Sequence, residues 1–224
     1  PRPQRRQIAG APLDKGRAVT MIAIVDYGVG NLFSLKSSLS MVGADAIVTG
    51  NAADLRAAEK IILPGVGAFA DAADKLQRAG LDTIVTEQAR AGKPLLGICL
   101  GMQLLFERSF EYGEHRGLGL IAGDVVDMRP RIPADLKVPH IGWNALRFEK
   151  PVHPLFRYID EGDCVYFVHS FYADNCREAT IATVEYGAEL TAAVADKNVF
   201  GCQFHPEKSG KVGLNILRAF CEQG

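Results

Sequence analysis

Short continuous apolar runs alternate with helix-spaced stretches along the first hundred residues. Met21-Ile22-Ala23-Ile24-Val25-Asp26 reads as a strand, because a strand covered on both faces needs no polar alternation. Tyr27-Gly28-Val29-Gly30-Asn31 reads as a turn, with Asn31 as the N-cap of a helix. Leu32, Leu35, Leu39 and Val42 supply that helix with an apolar stripe, and Gly43 stops it. Ala46 to Thr49 predicts a second strand, Asn51 to Glu59 a short helix, and Lys60-Ile61-Ile62-Leu63 a third strand. Pro64-Gly65-Val66-Gly67-Ala68-Phe69 interrupts the pattern. Two helical stretches follow, Phe69 to Arg78 and Leu81 to Ala91. A further apolar run ends at Gly97-Ile98-Cys99-Leu100-Gly101, and helical spacing resumes at once through Leu100, Gln103, Leu104, Leu105 and Glu107.

Strands alternating with helices imply right-handed crossovers and a parallel sheet. Ligands of such sheets bind beyond the carboxyl ends of the strands. The Pro64–Gly67 loop and Cys99 both fall at such ends. After residue 112 the character changes. Gly123 to Met128, Lys137 to Phe148, Cys164 to Tyr172, Thr180 to Tyr186, Leu190 to Ala195 and Val199 to Phe204 read as strands. Ser209 to Cys221 reads as a closing helix. The expected fold class is α/β: a mainly parallel central sheet with flanking helices, and a β-rich second half continuing that sheet. Residues 21–224 are expected to form one domain.

Bulk numbers narrow the function. A chain of 224 residues, 48% hydrophobic and 23% charged, has the composition of an ordinary globular protein. A formal net charge of −1 gives no field that would favour nucleic acid or an anionic membrane. No apolar stretch is long enough to span a bilayer. Five scattered cysteines without a Cys-x-x-Cys pair indicate neither a zinc site nor a disulfide framework, and fit a reducing cytoplasm. Residues 1–20 differ: Arg2, Arg5, Arg6, Lys15 and Arg17 face only Asp14. This stretch reads as a disordered extension or tag remnant ahead of Met21. Gly28-Val29-Gly30 opens like a dinucleotide fingerprint, but no third glycine follows at the required spacing, so a nucleotide site is rejected.

Cys99 is the first candidate for chemistry. Small residues two places either side of it are what a tight strand-to-helix elbow requires, and a helix N-terminus favours thiolate. An ordinary buried core cysteine is the competing reading. His205 is the second candidate. Val199 to Phe204 would carry it to the sheet edge, with Pro206 restricting the corner. Glu207, two residues on, could hold one imidazole nitrogen while the other faces outward, the base-and-orienter half of a triad. Alone, His205-Pro206-Glu207 would read as a surface turn.

Gly97-Ile98-Cys99-Leu100-Gly101-Met102-Gln103 together with His205-Pro206-Glu207 resembles the class I, triad-type glutamine amidotransferases. The resemblance covers residues 21 to 222. Asp26-Tyr27-Gly28-Val29-Gly30-Asn31-Leu32, Pro64-Gly65-Val66-Gly67-Ala68-Phe69, Val138-Pro139-His140-Ile141-Gly142-Trp143-Asn144 and Lys208-Ser209-Gly210 carry it further. They resemble glutaminase subunits that serve a (β/α)8-barrel cyclase in histidine biosynthesis. The resemblance implies a flavodoxin-like core, a substrate, L-glutamine, and no cofactor or metal. It implies that Cys99 attacks the side-chain amide of glutamine, that His205 moves the protons, and that Glu207 orients His205. An oxyanion hole would combine the N–H of Leu100 with one from Gly65, Val66 or Gly67, most readily Val66 or Gly67. Gln103 and Glu111 would contact the amino-acid end of the substrate, against the competing readings of a helix-face hydrogen bonder and a solvated loop acid, and Ser170 and His169 could line the same pocket. His169 could equally be a satisfied core residue. His140, Trp143 and Asn144 would face a cyclase partner in a heterodimer, with ammonia passing to it; Trp143 could equally be a core residue. His115 and His153 read as surface residues. The glutaminase partner of pyridoxal phosphate synthase, a γ-glutamyl peptidase and an idle regulatory subunit are the rival readings. The Trp143 motif argues against the first, and the intact Cys99, His205 and Glu207 against the last.

Overall fold

The computed structural model describes residues 21–223, so the expectation for residues 1–20 lies outside the described residues. The apolar runs form β1 (Met21–Val25), β2 (Asp45–Thr49), β3 (Lys60–Leu63) and β4 (Leu95–Ile98). The helix-spaced stretches between them form α1 (Leu32–Met41), α2 (Ala52–Ala57), α3 (Phe69–Arg78) and α4 (Leu81–Arg90). Asn31 caps α1 as its sequence position predicts, its side-chain oxygen accepting from Ser34 N. Asn51 does the same for α2 through Ala53 N.

The helix after Cys99 is shorter than the spacing predicts. α5 (Leu100–Leu104) ends after five residues, and β5 (Phe106–Ser109) begins at once. Tertiary pairing overrides local spacing here: β5 joins β7 (Ile121–Asp127), and Phe106 is fully buried. The remaining strands are β6 (His115–Arg116), β8 (His140–Phe148), β9 (Cys164–His169), β10 (Phe171–Asp174), β11 (Thr180–Glu185), β12 (Glu189–Asp196) and β13 (Val199–Cys202). Helix α6 (Gly210–Cys221) closes the chain.

The large sheet has nine strands in the order β2-β1-β3-β4-β13-β12-β11-β8-β9. The strands from β2 to β13 are parallel, and the strands from β13 to β9 pair antiparallel. The β-rich second half thus continues the sheet, but only in part. β10, β7, β5 and β6 make a second sheet of four strands. The predicted strand Cys164 to Tyr172 divides at Ser170: His169 ends a strand of the first sheet, and Phe171 starts one of the second.

Alternation within the buried strands feeds two cores. Ile22, Ile24, Leu96 and Ile98 pack on one face with Leu35 and Leu39 of α1 and Ile216, Leu217 and Phe220 of α6. Ala23, Val25, Ile61, Leu63 and Leu95 pack on the other with Leu55, Phe69, Leu76, Leu81 and Leu100. This clamps β4 and β13 side by side in the middle of the sheet, and their carboxyl ends carry Cys99 and His205.

Candidate active site

Cys99 sits on the elbow between β4 and α5 with φ 54° and ψ −112°, a conformation costly for a residue with a Cβ. The surroundings enforce it. Cys99 N donates to Cys202 O at 2.8 Å, and Gln103 N to Cys99 O at 3.2 Å. A Cβ on Gly101 would overlap the Leu63 carbonyl, and one on Gly65 would lie 2.6 Å from Gly101 N. The Pro64–Gly67 loop therefore presses directly on the elbow, which only glycine permits.

The loop is fixed at both ends and loose in the middle. The buried Tyr27 hydroxyl donates to Pro64 O at 2.7 Å, and Phe69 N donates to a Glu111 carboxylate oxygen at 2.6 Å. Between these posts Gly67 has φ +95° with open space around it, and Val66 is 40% exposed. Tyr27 is a site residue that sequence reasoning missed. Its signal was present in the Asp26-Tyr27-Gly28 motif, but its contact lies 37 residues away.

His205 lies just beyond β13. Its backbone is held by His205 N donating to Tyr166 O at 2.9 Å and by the Ser209 hydroxyl donating to His205 O at 2.6 Å. His205 Nδ1 and a Glu207 oxygen are 2.8 Å apart, with both side chains buried. His205 Nε2 is buried without a hydrogen bond of ordinary geometry, and the acid that couples to this imidazole is the Cys99 thiol. Burial alone would lower the imidazole pKa. The hydrogen bonds and charges of Cys99 and Glu207 outweigh it and hold the pKa up at about 9. The imidazole is thus cationic at neutral pH.

A pocket of about 170 Å³ opens over these groups, lined by Val66, Gly67, Cys99, Leu100, Gln103, Glu111, Val168, His169, Phe171 and His205. The Leu100 N–H belongs to the first turn of α5, where helix geometry leaves donors without an intrahelical partner. Gly65 and Ser170 are not among the walls. The Ser170 carbonyl instead accepts from Met128 N at 3.1 Å. A larger open cleft of about 740 Å³, lined by Arg90, Glu107, Arg108, Glu114 and Arg116 among others, has no nucleophile. Among the described residues, no group of three or more His, Cys, Asp or Glu could hold a metal ion.

Gln103 is buried, and its amide Nε2 donates to Phe171 O and to Gln203 Oε1, each at 3.0 Å. Gln203, which sequence reasoning did not single out, places its own Nε2 3.7 Å from the Cys99 sulfur. His169 is both wall and network member: its Nδ1 meets Phe171 O at 2.9 Å and its Nε2 meets His140 Nδ1 at 3.1 Å. Burial keeps His169 neutral, its pKa lowered to about 3.

The β8 candidates divide by strand phase. His140 points inward, 1% exposed and stacked between Phe167 and Tyr186, so it offers this chain no surface. Asn144 shares that phase and donates to Glu185 O at 3.0 Å. Trp143 points outward, 53% exposed beside Ile141 at 58%. His115 and His153 are half-buried rather than surface residues, and His153 caps a short turn by accepting from Leu155 N.

Residues 23–223 match the model of the family "Glutamine amidotransferase class-I". Imidazole glycerol phosphate synthase subunit HisH of Caldanaerobacter subterraneus subsp. tengcongensis is 49% identical over 203 residues, covering 90% of this chain and 98% of that protein. The HisH subunit of Moorella thermoacetica is also 49% identical, over 90% of this chain and 94% of its own. Among solved structures, the Thermotoga maritima structure named PurLQS superposes with a TM-score of 0.71 at 21% identity, over 91% of this chain and 98% of the other. A glutamine amidotransferase crystal structure gives 0.69 at 20% identity, over 89% and 97%. These two speak for the fold alone. The family match over nearly the whole described chain, with relatives at this level of identity, shows that the chain belongs to the class-I glutamine amidotransferases.

Proposed function

We propose that this chain is the glutaminase subunit of an imidazole glycerol phosphate synthase, a single amidotransferase domain acting in histidine biosynthesis. Its level of identity to the HisH subunits, along almost their full length, supports that assignment. The observation that carries the chemistry is the convergence of Cys99, the His205–Glu207 pair and the glycine loop on one pocket.

The site sets the Cys99 sulfur against the His205 imidazolium. Cys99 Sγ attacks the side-chain amide carbon of glutamine, forming a tetrahedral oxyanion. The Leu100 N–H and an N–H of Val66 or Gly67 receive that charge; one such donor contributes about 3 kcal/mol in the transition state. His205 gives its Nε2 proton to the departing ammonia, leaving a γ-glutamyl thioester. His205 then takes a proton from water, which hydrolyses the thioester to glutamate and regenerates the thiolate. Glu207 holds the imidazole by Nδ1 and offsets its charge throughout. Glu111 and Gln103 form the far wall, where the amino-acid end of the substrate would lie.

The pocket holds no second catalytic apparatus that could consume ammonia. A cytoplasmic heterodimer with a (β/α)8-barrel cyclase supplies that acceptor, making imidazole glycerol phosphate and aminoimidazole carboxamide ribonucleotide. The exposed Ile141–Trp143 face of β8 is the surface assigned to the partner. The test is glutamine hydrolysis with and without a barrel cyclase and its ligand. The chain alone is expected to turn over slowly and the complex much faster. Full activity alone, indifferent to any cyclase, overturns the partner assignment.

A further inference from the structure

We infer that Gln203 is a positioning residue for the nucleophile, and that Gln103 holds it there. The inference rests on the reading of Cys99 as nucleophile and goes beyond it, since Gln103 is otherwise assigned only to substrate.

The relay of hydrogen bonds starts at a backbone carbonyl. Phe171 O can only accept, and it takes two bonds, from His169 Nδ1 at 2.9 Å and Gln103 Nε2 at 3.0 Å. Gln103 must therefore present its NH2 group, not its oxygen, to Phe171. The second amide hydrogen needs an acceptor in a buried place, and Gln203 Oε1 supplies it at 3.0 Å. With its oxygen so engaged, Gln203 can turn only its NH2 group toward Cys99 Sγ, at 3.7 Å. A carbonyl three links away thus fixes the sign of the dipole at the sulfur.

That sign matters because a thiolate is an acceptor only, whereas a thiol can donate. An N–H directed at sulfur favours the thiolate. Val168 O, 3.9 Å from the sulfur, favours the thiol, so the Gln203 amide works against it. The other ionisable groups around the sulfur are His205, Tyr27 and Cys202, with His169, kept neutral by burial, and Glu111, whose carboxylate takes the Phe69 N–H, on the same pocket wall. Burial raises the pKa of both Tyr27 and Cys202, so neither of these two supplies an opposing charge at neutral pH. The Gln203 amide is therefore the neutral donor that, beside the His205 cation, favours sulfur in its reactive form. It also fixes where the sulfur stands relative to the pocket.

The experiment measures alkylation of Cys99 by iodoacetamide against pH, in the free chain without glutamine, alongside kcat and KM for glutamine in the cyclase complex. Gln203→Met removes the donor at similar volume. The apparent pKa of Cys99 is expected to rise by about one unit, the size of one hydrogen bond to a charged group. Turnover should fall about tenfold in kcat with KM little changed. Gln203→Glu turns an acceptor toward the sulfur and is expected to shift the profile further in the same direction. Gln103→Met reads the relay from its other end, so the test stands even if a Gln203 variant does not fold. It is expected to shift the alkylation profile without any glutamine present. The double variant Gln103→Met/Gln203→Met should shift it no further than Gln203→Met.

An unchanged alkylation profile in folded Gln203→Met, or in Gln103→Met with only KM altered, overturns the inference. Wild-type turnover that survives complete alkylation of Cys99 overturns the nucleophile reading instead, so the two failures are distinguishable.

Discussion

Replacing Glu207 by glutamine isolates what the carboxylate charge does. The substitution keeps the shape of the side chain and leaves an oxygen able to accept from His205 Nδ1, now 2.8 Å from the carboxylate. The fold and the tautomer should therefore survive. What is lost is a charge next to a cation inside a buried site, where solvent does not screen it. A hydrogen bond to a charged group contributes about 1.5–3 kcal/mol, which corresponds to about one to two pKa units. The His205 pKa, held at about 9 in part by Glu207, should fall by that amount. The sign follows from which form the carboxylate favours. It stabilises the imidazolium, so its removal lets the proton leave at lower pH. Ammonia departure needs that proton, so activity should be lost as pH rises through the His205 pKa. The alkaline limb of kcat/KM in the complex should accordingly move down by about one to two units in Glu207→Gln. At neutral pH, where at least half of the imidazole stays protonated, the rate should drop by about twofold at most, whereas at pH 9 it should drop by about 5- to 50-fold. Histidine NMR titration of the free chain gives an independent reading of the same pKa. A folded variant with an unmoved alkaline limb, or with wild-type rate at pH 9, would refute the reasoning.

Three further outcomes are expected. Tyr27→Phe strands the buried Pro64 carbonyl, now bonded at 2.7 Å, and should cost about 1–3 kcal/mol in urea unfolding. It should lower kcat more than it raises KM, because the loop it anchors is the one proposed to carry an oxyanion donor. Gly65→Ala places a methyl group 2.6 Å from Gly101 N, so the loop must lift from the elbow. Turnover should fall at least tenfold while circular dichroism stays native; unchanged turnover would show that the loop bears no donor. Trp143→Ala removes the largest exposed group of β8 and should weaken cyclase binding by about tenfold or more in calorimetry, leaving the melting temperature of the free chain unchanged.

Much of the site was legible because local constraints carry it. A cysteine flanked by Gly97 and Gly101 suits a tight elbow as well as a core position, and the structure places it on an elbow with positive φ. His205-Pro206-Glu207 depends on alternation over two residues, and the 2.8 Å contact follows from that short range. The parallel order β2-β1-β3-β4-β13 was legible as strands and helices in alternation, but the entry of β13 beside β4 joins residues a hundred positions apart. Gln203 was invisible for the same reason. It lies in a strand-like run, and only the folded chain brings Gln103 and Cys99 to it. The early end of α5 escaped detection because Leu105 and Phe106 suit a helix as well as a strand, and the second sheet decided. His140 and Trp143 lie three residues apart in one motif, yet strand phase sends one inward and the other out.

Acid quenching of the cyclase complex during turnover of radiolabelled glutamine tests the central claim most directly. Label is expected bound covalently to the peptide containing Cys99, released by mild base as a thioester would be. Neither label nor turnover is expected in a folded Cys99→Ala complex. Label on a different residue, or turnover retained in Cys99→Ala, would contradict it.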